Sequence, residues 1–345
     1  MRIVQIMAGQ AMGGAEAFYS RLVSALEGYA GISQVAITRP HERWLDRLSA
    51  RQVQTQTCKF GGRFDLATKK RVRQTLRDFD TDVALTWMSR ASQHTPTGPW
   101  LKTARLGGYY ALKYYQDCDH LVGNTQGICR YLRAGGVPAD QVWYLPNFVE
   151  EQAQPATLTI DRSAYLGSRK TLLLAAGRLH VNKAFDTILH ALTQLPDSVL
   201  LLAGEGSEQA GLLALADQLG VREQLVLVGW QDDLRPYYAV ADAFICASRV
   251  EPLGNTVLEA WFNGCPIVAA DADGPKELIV DGRTGLLFPR EDAAALAACV
   301  NKLAGSATLR TDLIAEGQSV YAKGFRREVV LANYADFFQQ ILARR

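Results

Sequence analysis

Apolar residues in this chain gather in short runs closed by glycine, proline or asparagine, and helical periodicity fills the stretches between them. The second half shows this most clearly. Runs at 171–176, 199–203, 225–229, 243–247, 266–270 and 285–288 alternate with helix patterns at 184–195, 208–219, 232–241, 255–263 and 274–279. Runs that are apolar at consecutive positions predict strands covered on both faces, as in parallel sheets. In the first half the pattern predicts strands at Ile3–Met7, Gln34–Ile37, Val83–Thr86 and His120–Gly123, with helices at Ala15–Leu26 and Asp65–Phe79. Such alternation predicts α/β layers. A boundary falls near Tyr144–Val149, and a polar, poorly periodic segment runs from there to about Lys170. The final segment, Arg326–Leu342, is amphipathic, with Tyr334, Phe337, Phe338 and Ile341 on one face. The pattern therefore divides the chain into 1–150, 151–325 and a terminal helix in 326–345.

Composition agrees with a soluble globular protein. The chain has 345 residues, which suggests two domains; 48% are hydrophobic and 21% charged. No apolar run approaches the roughly 20 residues of a membrane span. A strand begins at once after Met1 with no signal-peptide layout, so a cytoplasmic location is expected. Six cysteines, at 58, 118, 129, 246, 265 and 299, form no C-x-x-C pair. Neither a zinc site nor a disulfide framework is predicted, and Cys246 and Cys265 read as small core residues. Residues 1–150 hold 19 Lys/Arg against 12 Asp/Glu, and residues 151–345 hold 18 against 23, so charges of +7 and −5 face opposite ways. Lys69, Lys70, Arg71, Arg73 and Arg77 concentrate the basic excess. A solvated helix face is one reading, and attraction to an anionic membrane surface is the other. Nucleic acid is not expected, since no recognition motif or interleaved aromatic accompanies the cluster.

Four segments carry candidate chemistry. Glu251 and Glu259 bracket a Glu-x7-Glu string between two apolar runs. Glu251 would lie on the loop after a strand and Glu259 one turn into the next helix, whose free amides at Gly254, Asn255 and Thr256 would face an anion. Arg178 and Lys183 lie five residues apart on another strand-to-helix loop and could clamp a diphosphate, Arg by two prongs and Lys as a point charge. Two cations near a helix start oppose its dipole, which suggests that an anion is expected there. Gly13 and Gly14, followed by Ala15 and Glu16, precede an amphipathic helix and would let a backbone approach a ligand. The glycine spacing at 9, 13 and 14 does not fit the dinucleotide fingerprint G-x-G-x-x-G. Finally, two apolar runs end in glycine, at Gly204-Glu205-Gly206 and at Gly229-Trp230.

Together, in this order from residue 13 to residue 259, these segments resemble the family 4 retaining glycosyltransferases. The stretch from Leu106 through Tyr109 and Tyr110 to Asn124 resembles bacterial lipopolysaccharide core mannosyl- or hexosyltransferases. The resemblance implies a GT-B fold, with two Rossmann-like domains facing across a cleft and a last helix that crosses back to the first. Residues 1–150 would bind the acceptor, 151–325 would bind a nucleotide-sugar donor, and the polar segment after Val149 would be the linker. It implies transfer of a hexose from a UDP- or GDP-sugar to a glycan or lipid-linked acceptor with retained configuration. Arg178, Lys183 and the amides of Gly254 to Thr256 would stabilise the departing diphosphate, with Gly13 and Gly14 reaching it from the other domain on closure. Glu251 would face the donor sugar and Glu259 the ribose, with Leu253 beside them. Gly229, Trp230, Gln231 and the backbone of Val228 would meet the base, although Trp230 reads equally as core or interface packing.

On the acceptor side, many relatives carry a His or Asp that Thr103–Tyr110 lacks. Arg105, Tyr109 and Tyr110 are candidates instead, with Trp87, Arg90 and His94 in the preceding loop; His94 reads as an exposed loop residue. A front-face mechanism, in which the departing phosphate takes the proton, needs no enzymic base. Asp-x-Asp pairs occur at 80/82, 117/119 and 271/273; the last follows a buried strand, but Asp271 and Asp273 read as loop residues, so neither metal nor other cofactor is expected. The expected location stays cytoplasmic, and the basic first half leaves open a peripheral position on the inner face of the cytoplasmic membrane. A nucleotide-sugar 2-epimerase and a non-catalytic binding protein are the competing functions.

Overall fold

A computed structural model describes residues 1–9, 13–62, 64–149 and 159–345, apart from the side chains of 42–44 and 47. The linker expected up to Lys170 lies partly at 150–158, outside the described residues. The chain forms two compact units: Met1–Glu150 with Arg326–Arg345, and Glu151–Phe325.

Unit 1 holds a seven-stranded sheet of β1 (Arg2–Met7), β2 (Ser33–Thr38), β3 (Gln54–Thr57), β4 (Val83–Trp87), β5 (Leu101–Leu106), β6 (His120–Gly123) and β7 (Val142–Tyr144). Its order is β3-β2-β1-β4-β5-β6-β7 and every pairing is parallel. Three of these strands escape the apolar pattern. β3 is a polar edge strand, Gln-Thr-Gln-Thr, half-exposed along its length. β5 carries Lys102 and Arg105 yet is almost wholly buried. β7 spans only three residues.

Unit 2 holds β8 (Thr171–Ala176), β9 (Ser198–Ala203), β10 (Leu225–Gly229), β11 (Ala243–Cys246), β12 (Ile267–Ala270) and β13 (Leu286–Phe288). Their order is β10-β9-β8-β11-β12-β13, again all parallel. All six runs seen in the sequence are strands. Leu172, Leu174, Val199, Leu201, Phe244 and Val268 are each at most 1% exposed, as expected of strands covered on both faces. Each such side chain contributes about 1.5–3 kcal/mol by leaving water.

A polar ladder crosses the centre of unit 1. Trp87 Nε1 on β4 donates to Gln5 Oε1 on β1 at 3.1 Å, Gln5 Nε2 donates to Gln34 Oε1 on β2, and Gln34 Nε2 donates to the Val23 carbonyl at 2.9 Å. Buried amides left unpaired would be costly, so this ladder penalises any slip in register. The terminal helix Arg327–Ala343 buries Val330, Leu331, Tyr334, Phe337, Phe338 and Ile341 in the unit 1 core with Phe18, Trp87 and Phe148. The helical spacing of these residues puts one stripe against the core.

Arg105 anchors that helix, which corrects its expected role in acceptor binding. The side chain is 2% exposed. Its Nε donates to the Tyr334 hydroxyl at 2.9 Å, Nη2 donates to Asn147 Oδ1, and the guanidinium stacks 4.7 Å from the Phe18 ring centroid and 4.6 Å from that of Trp87. Trp87, 1% exposed, is core as well and lines no acceptor pocket. Replacing Arg105 by Ala is predicted to cost roughly 2–4 kcal/mol, because Tyr334 and Asn147 lose a buried charged donor. Urea unfolding of the variant measures this, and a loss below about 0.5 kcal/mol would mean that the clasp is not stabilising.

Candidate functional site

In unit 2, β9 and β10 lie on one side of β8 and β11 to β13 on the other. The loops leaving the carboxyl ends of β8 and β11 therefore flank a topological switch point, where open parallel sheets bind ligands. The β8 loop carries Arg178 and Lys183, and the β11 loop carries Glu251, Leu253 and Gly254.

These loops meet through one ion pair. Lys183 Nζ donates to Glu251 Oε2 at 2.5 Å, and the other carboxylate oxygen accepts from the Gly254 amide at 3.2 Å. Lys183 is 27% and Glu251 15% exposed, so the pair is mostly withdrawn from water. Burial alone would lower the Lys183 pKa. The Glu251 carboxylate, helped by Cys246 and Glu259, outweighs it and leaves the ammonium above its ordinary value. Lysine thus stays charged at neutral pH, and its stabilising contribution is lost only as pH rises through that raised value.

Local structure fixes both partners. Lys183 closes a single 3-10 turn, Val181–Lys183, that His180 caps through Nδ1, accepting from the Asn182 amide at 3.2 Å. Gly254, at φ +85°, starts the helix Asn255–Phe262 from the left-handed region that glycine tolerates. Gly274 packs flat on the Glu251 loop: its amide donates to the Glu251 carbonyl at 2.8 Å, and a Cβ there would stand 2.3 Å from the Leu253 carbonyl carbon.

Sequence reasoning missed Arg249. Its guanidinium pairs with Asp186 at 2.6 Å and Glu291 at 2.7 Å and donates to the Val181 carbonyl at 2.7 Å. Its own amide donates to the Asn182 carbonyl at 2.9 Å. Arg249 therefore staples the Lys183 loop to the Glu251 loop. The Asp186 hydrogen bond, followed by that of Glu291, raises its pKa against the effect of burial. An arginine just past a strand gives no pattern signal for this role.

The other unit 2 candidates are distributed around the pair. Arg178 is exposed and makes no hydrogen bond or ion pair among the described residues. Glu259 is half-buried, and its charge reaches Lys183. The Tyr238 hydroxyl is buried, and desolvation first, then the Glu259 charge, raises its pKa. Asn255 and Thr256 are half-buried, and Thr256 Oγ1 donates to Cys246 Sγ at 3.7 Å. Leu253 is 5% exposed, so its side chain is withdrawn from the surface. Gly229 and Trp230 end β10 at the same sheet edge. Trp230 is 43% exposed with Nε1 on Asp232 at 3.0 Å, which removes the core-packing reading, and Gln231 Nε2 donates to the Val228 carbonyl at 2.6 Å.

In unit 1, Gly13 precedes the helix Gly14–Leu26 with extended backbone. The Glu16 carboxylate lies against both glycines: a Cβ on Gly9 would stand 2.4 Å from Glu16 Oε1 and one on Gly13 2.8 Å from Glu16 Oε2, so a side chain at either position would displace it. The Glu16 carboxylate folds back under the loop, as a third-position helix glutamate does. Residues 10–12, between the glycines, lie outside the described residues. Tyr109 is 44% exposed and meets Tyr131 edge-on at 5.4 Å, and burial pushes the Tyr110 phenol up. Arg90 is exposed, but His94, expected to be exposed, is 4% exposed inside the helix Met88–His94. Of the Asp-x-Asp pairs, Asp80 pairs with Arg2, Asp117 with Lys102 and Asp271 with Arg290, so each has an acid held by a neighbouring cation.

The profile described as "Glycosyl transferases group 1" matches residues 170–306. The lipopolysaccharide core biosynthesis glycosyltransferase LpsE of Rhizobium meliloti (strain 1021) is 32% identical over 337 residues, covering 96% of each chain. A solved glycosyltransferase from Rickettsia africae superposes with a TM-score of 0.88 at 17% identity, covering 99% of this chain and 98% of that one. Anabaena HepE, solved in complex with UDP, gives 0.83 at 17% identity, covering 99% and 100%. The chain belongs to the group 1 glycosyl transferases, and its fold is GT-B, as the sequence resemblance implied.

Replacing Gly274 by Ala is predicted to push the Glu251 loop off its support. An overpacked contact of this kind costs about 1–3 kcal/mol. Thermal unfolding should show that loss together with weakened nucleotide binding, whereas a variant unchanged in both would mean that the contact does not hold the loop.

Proposed function

We propose that this group 1 glycosyl transferase moves a hexose from a UDP- or GDP-linked donor to a hydroxyl of a glycan or lipid-linked acceptor, as a retaining family 4 enzyme of lipopolysaccharide core or other surface-glycan synthesis. The carrying observation is that the Lys183 ammonium and the Gly254 amide converge on one position, which the Glu251 carboxylate fills. A position built to hold one anion suits the diphosphate of a nucleotide sugar. Lys183 and the exposed Arg178 would meet the charge that grows on the leaving diphosphate, in a setting already organised for it. Glu259 would receive the ribose hydroxyls and Trp230 would meet the base. The name of LpsE supports the lipopolysaccharide reading, and the UDP complex of HepE supports a uridine donor.

In the transfer step, the bond from the anomeric carbon to the diphosphate oxygen breaks on the face where the acceptor hydroxyl arrives. The departing oxygen takes the hydroxyl proton as the new bond forms. Glu251, released from Lys183 by the diphosphate, would orient the donor ring and favour its positive charge. The two cations make a divalent metal unnecessary in this reading. Tyr109 and Arg90 are the acceptor residues in unit 1. The exposed basic face around Lys70 and Arg73 suits a peripheral position on anionic lipid, although no helix among the described residues is long and apolar enough to cross a membrane.

Transfer from UDP- or GDP-hexose to a core oligosaccharide, followed by proton NMR of the new anomeric centre, tests the proposal. Retained configuration is expected, with the rate within about twofold in excess chelator. Lys183→Ala and Arg178→Ala should each lower kcat/KM roughly 100-fold or more. An inverted product, a rate abolished by chelator, or full activity in Lys183→Ala would refute the corresponding part.

A further inference from the structure

The helix Leu66–Asp78 of unit 1 follows β3 and has two contrasting faces. Thr68, Val72, Thr75 and Leu76 are buried, and Val72 and Leu76 pack with Val4, Ile6 and Phe60. Leu66, Lys70, Arg73 and Arg77 recur at helical spacing, so they form one stripe on the other side, and all four are exposed. The stripe is about 16 Å long at the helical rise. The helix holds five basic residues against one acid, Asp78 at its last position. The Lys70, Arg73 and Arg77 side chains make no hydrogen bond or ion pair among the described residues. The fold therefore leaves their charge uncompensated.

An apolar tip heads this stripe. Phe64 is 89% and Leu66 71% exposed, the two highest values for large hydrophobic residues among those described. The turn beneath them is braced. The Asp65 carboxylate accepts from the Gly61 amide at 2.7 Å, the Thr68 amide at 2.9 Å and the Thr68 hydroxyl at 2.6 Å, and the Asp65 amide donates to the Gly62 carbonyl at 3.0 Å. Asp65 is thus engaged within its own loop. Uncompensated cations beside exposed apolar side chains suit a lipid interface, where phosphates meet the charges and the acyl boundary takes up the apolar groups. A second copy of this chain would present the same positive stripe and be repelled. In a parallel sheet the strand-to-helix loops lie at the carboxyl edge. Phe64 follows β3, so the tip stands on the edge that carries Arg90 and Tyr109, three strands or about 14 Å along from β4.

We propose that Phe64 and Leu66 enter the interface of an anionic membrane while Lys70, Arg73 and Arg77 lie on its phosphates, which brings the carboxyl edge of unit 1 to the lipid surface. This rests on the peripheral position proposed above and deepens it. Charge alone attracts without fixing an orientation, whereas an apolar tip at one end of the stripe sets both depth and direction.

The test is co-sedimentation of the full chain with vesicles of phosphatidylcholine, alone or in equal parts with phosphatidylglycerol, at low and high salt. At low salt the wild-type chain should bind the mixed vesicles roughly 100-fold more tightly than the neutral ones, about fivefold for each of three charges. Part of that binding should survive high salt, because apolar insertion is not screened. Lys70→Gln/Arg73→Gln/Arg77→Gln should remove most of the preference for mixed vesicles. Phe64→Ser/Leu66→Ser should weaken binding roughly tenfold or more and abolish the part that survives salt. Lys302→Gln, at an exposed position in unit 2, should bind as the wild type does, and thermal unfolding checks that each variant folds. A Phe64→Ser/Leu66→Ser variant that binds like the wild type would overturn the proposal and leave the peripheral position standing. A wild-type chain that binds neither kind of vesicle would overturn both. A triple Gln variant with unchanged binding would put the contact elsewhere on the chain and overturn the proposal as well.

Discussion

An ammonium and a backbone amide from two different loops meet at the Glu251 carboxylate, and much of unit 2 is arranged so that they can. A partly buried ion pair is worth little unless its remaining hydrogen-bonding capacity is filled and its geometry held. Here the geometry is held on three sides. Arg249 ties the Lys183 loop to the strand end that carries Glu251, Gly274 presses the Glu251 loop from below, and Gly254 turns the chain so that its amide points back. The β8–β11 switch point brings the two loops side by side in the first place. Donors fixed before a ligand arrives cost no reorganisation when charge develops, which is the property that a diphosphate leaving group requires.

Unit 1 uses buried polarity in a different way. Gln5, Gln34 and Trp87 lock neighbouring strands, and Arg105 clasps the terminal helix from within the core. These groups are buried and bonded within the fold. The carboxyl edge is the contrast: Arg90 and Tyr109 remain exposed there, while Glu16 is folded under the glycine loop.

Strands that are apolar at every position, such as Leu172–Ala176, were legible because burial on both faces leaves one reading. β5 was not, since Lys102 and Arg105 look like surface residues until Asp117 and Tyr334 are brought to them from 15 and 229 positions away. Trp87 and His94 misled for the same reason, because their burial depends on strand order. At the candidate site, residue types and strand-end positions were legible: Arg178, Lys183, Glu251 and Glu259 gather at one sheet edge. What the spacing could not show is that Glu251 fills the very position read from Lys183 and Gly254 as a phosphate site. Nor could it show Arg249, whose role depends on Asp186 and Glu291 far apart in the chain.

The central claim is that Glu251 occupies an anion site which the donor diphosphate takes over. Calorimetry of UDP and GDP with wild-type chain and Glu251→Gln tests it most directly, since glutamine keeps the size and a carbonyl for the Gly254 amide but removes the charge that competes for Lys183. The account predicts a nucleotide affinity at least equal to that of the wild type, and roughly several-fold tighter, in a variant that no longer transfers sugar. Loss of nucleotide binding in Glu251→Gln, or unchanged transfer, would contradict it.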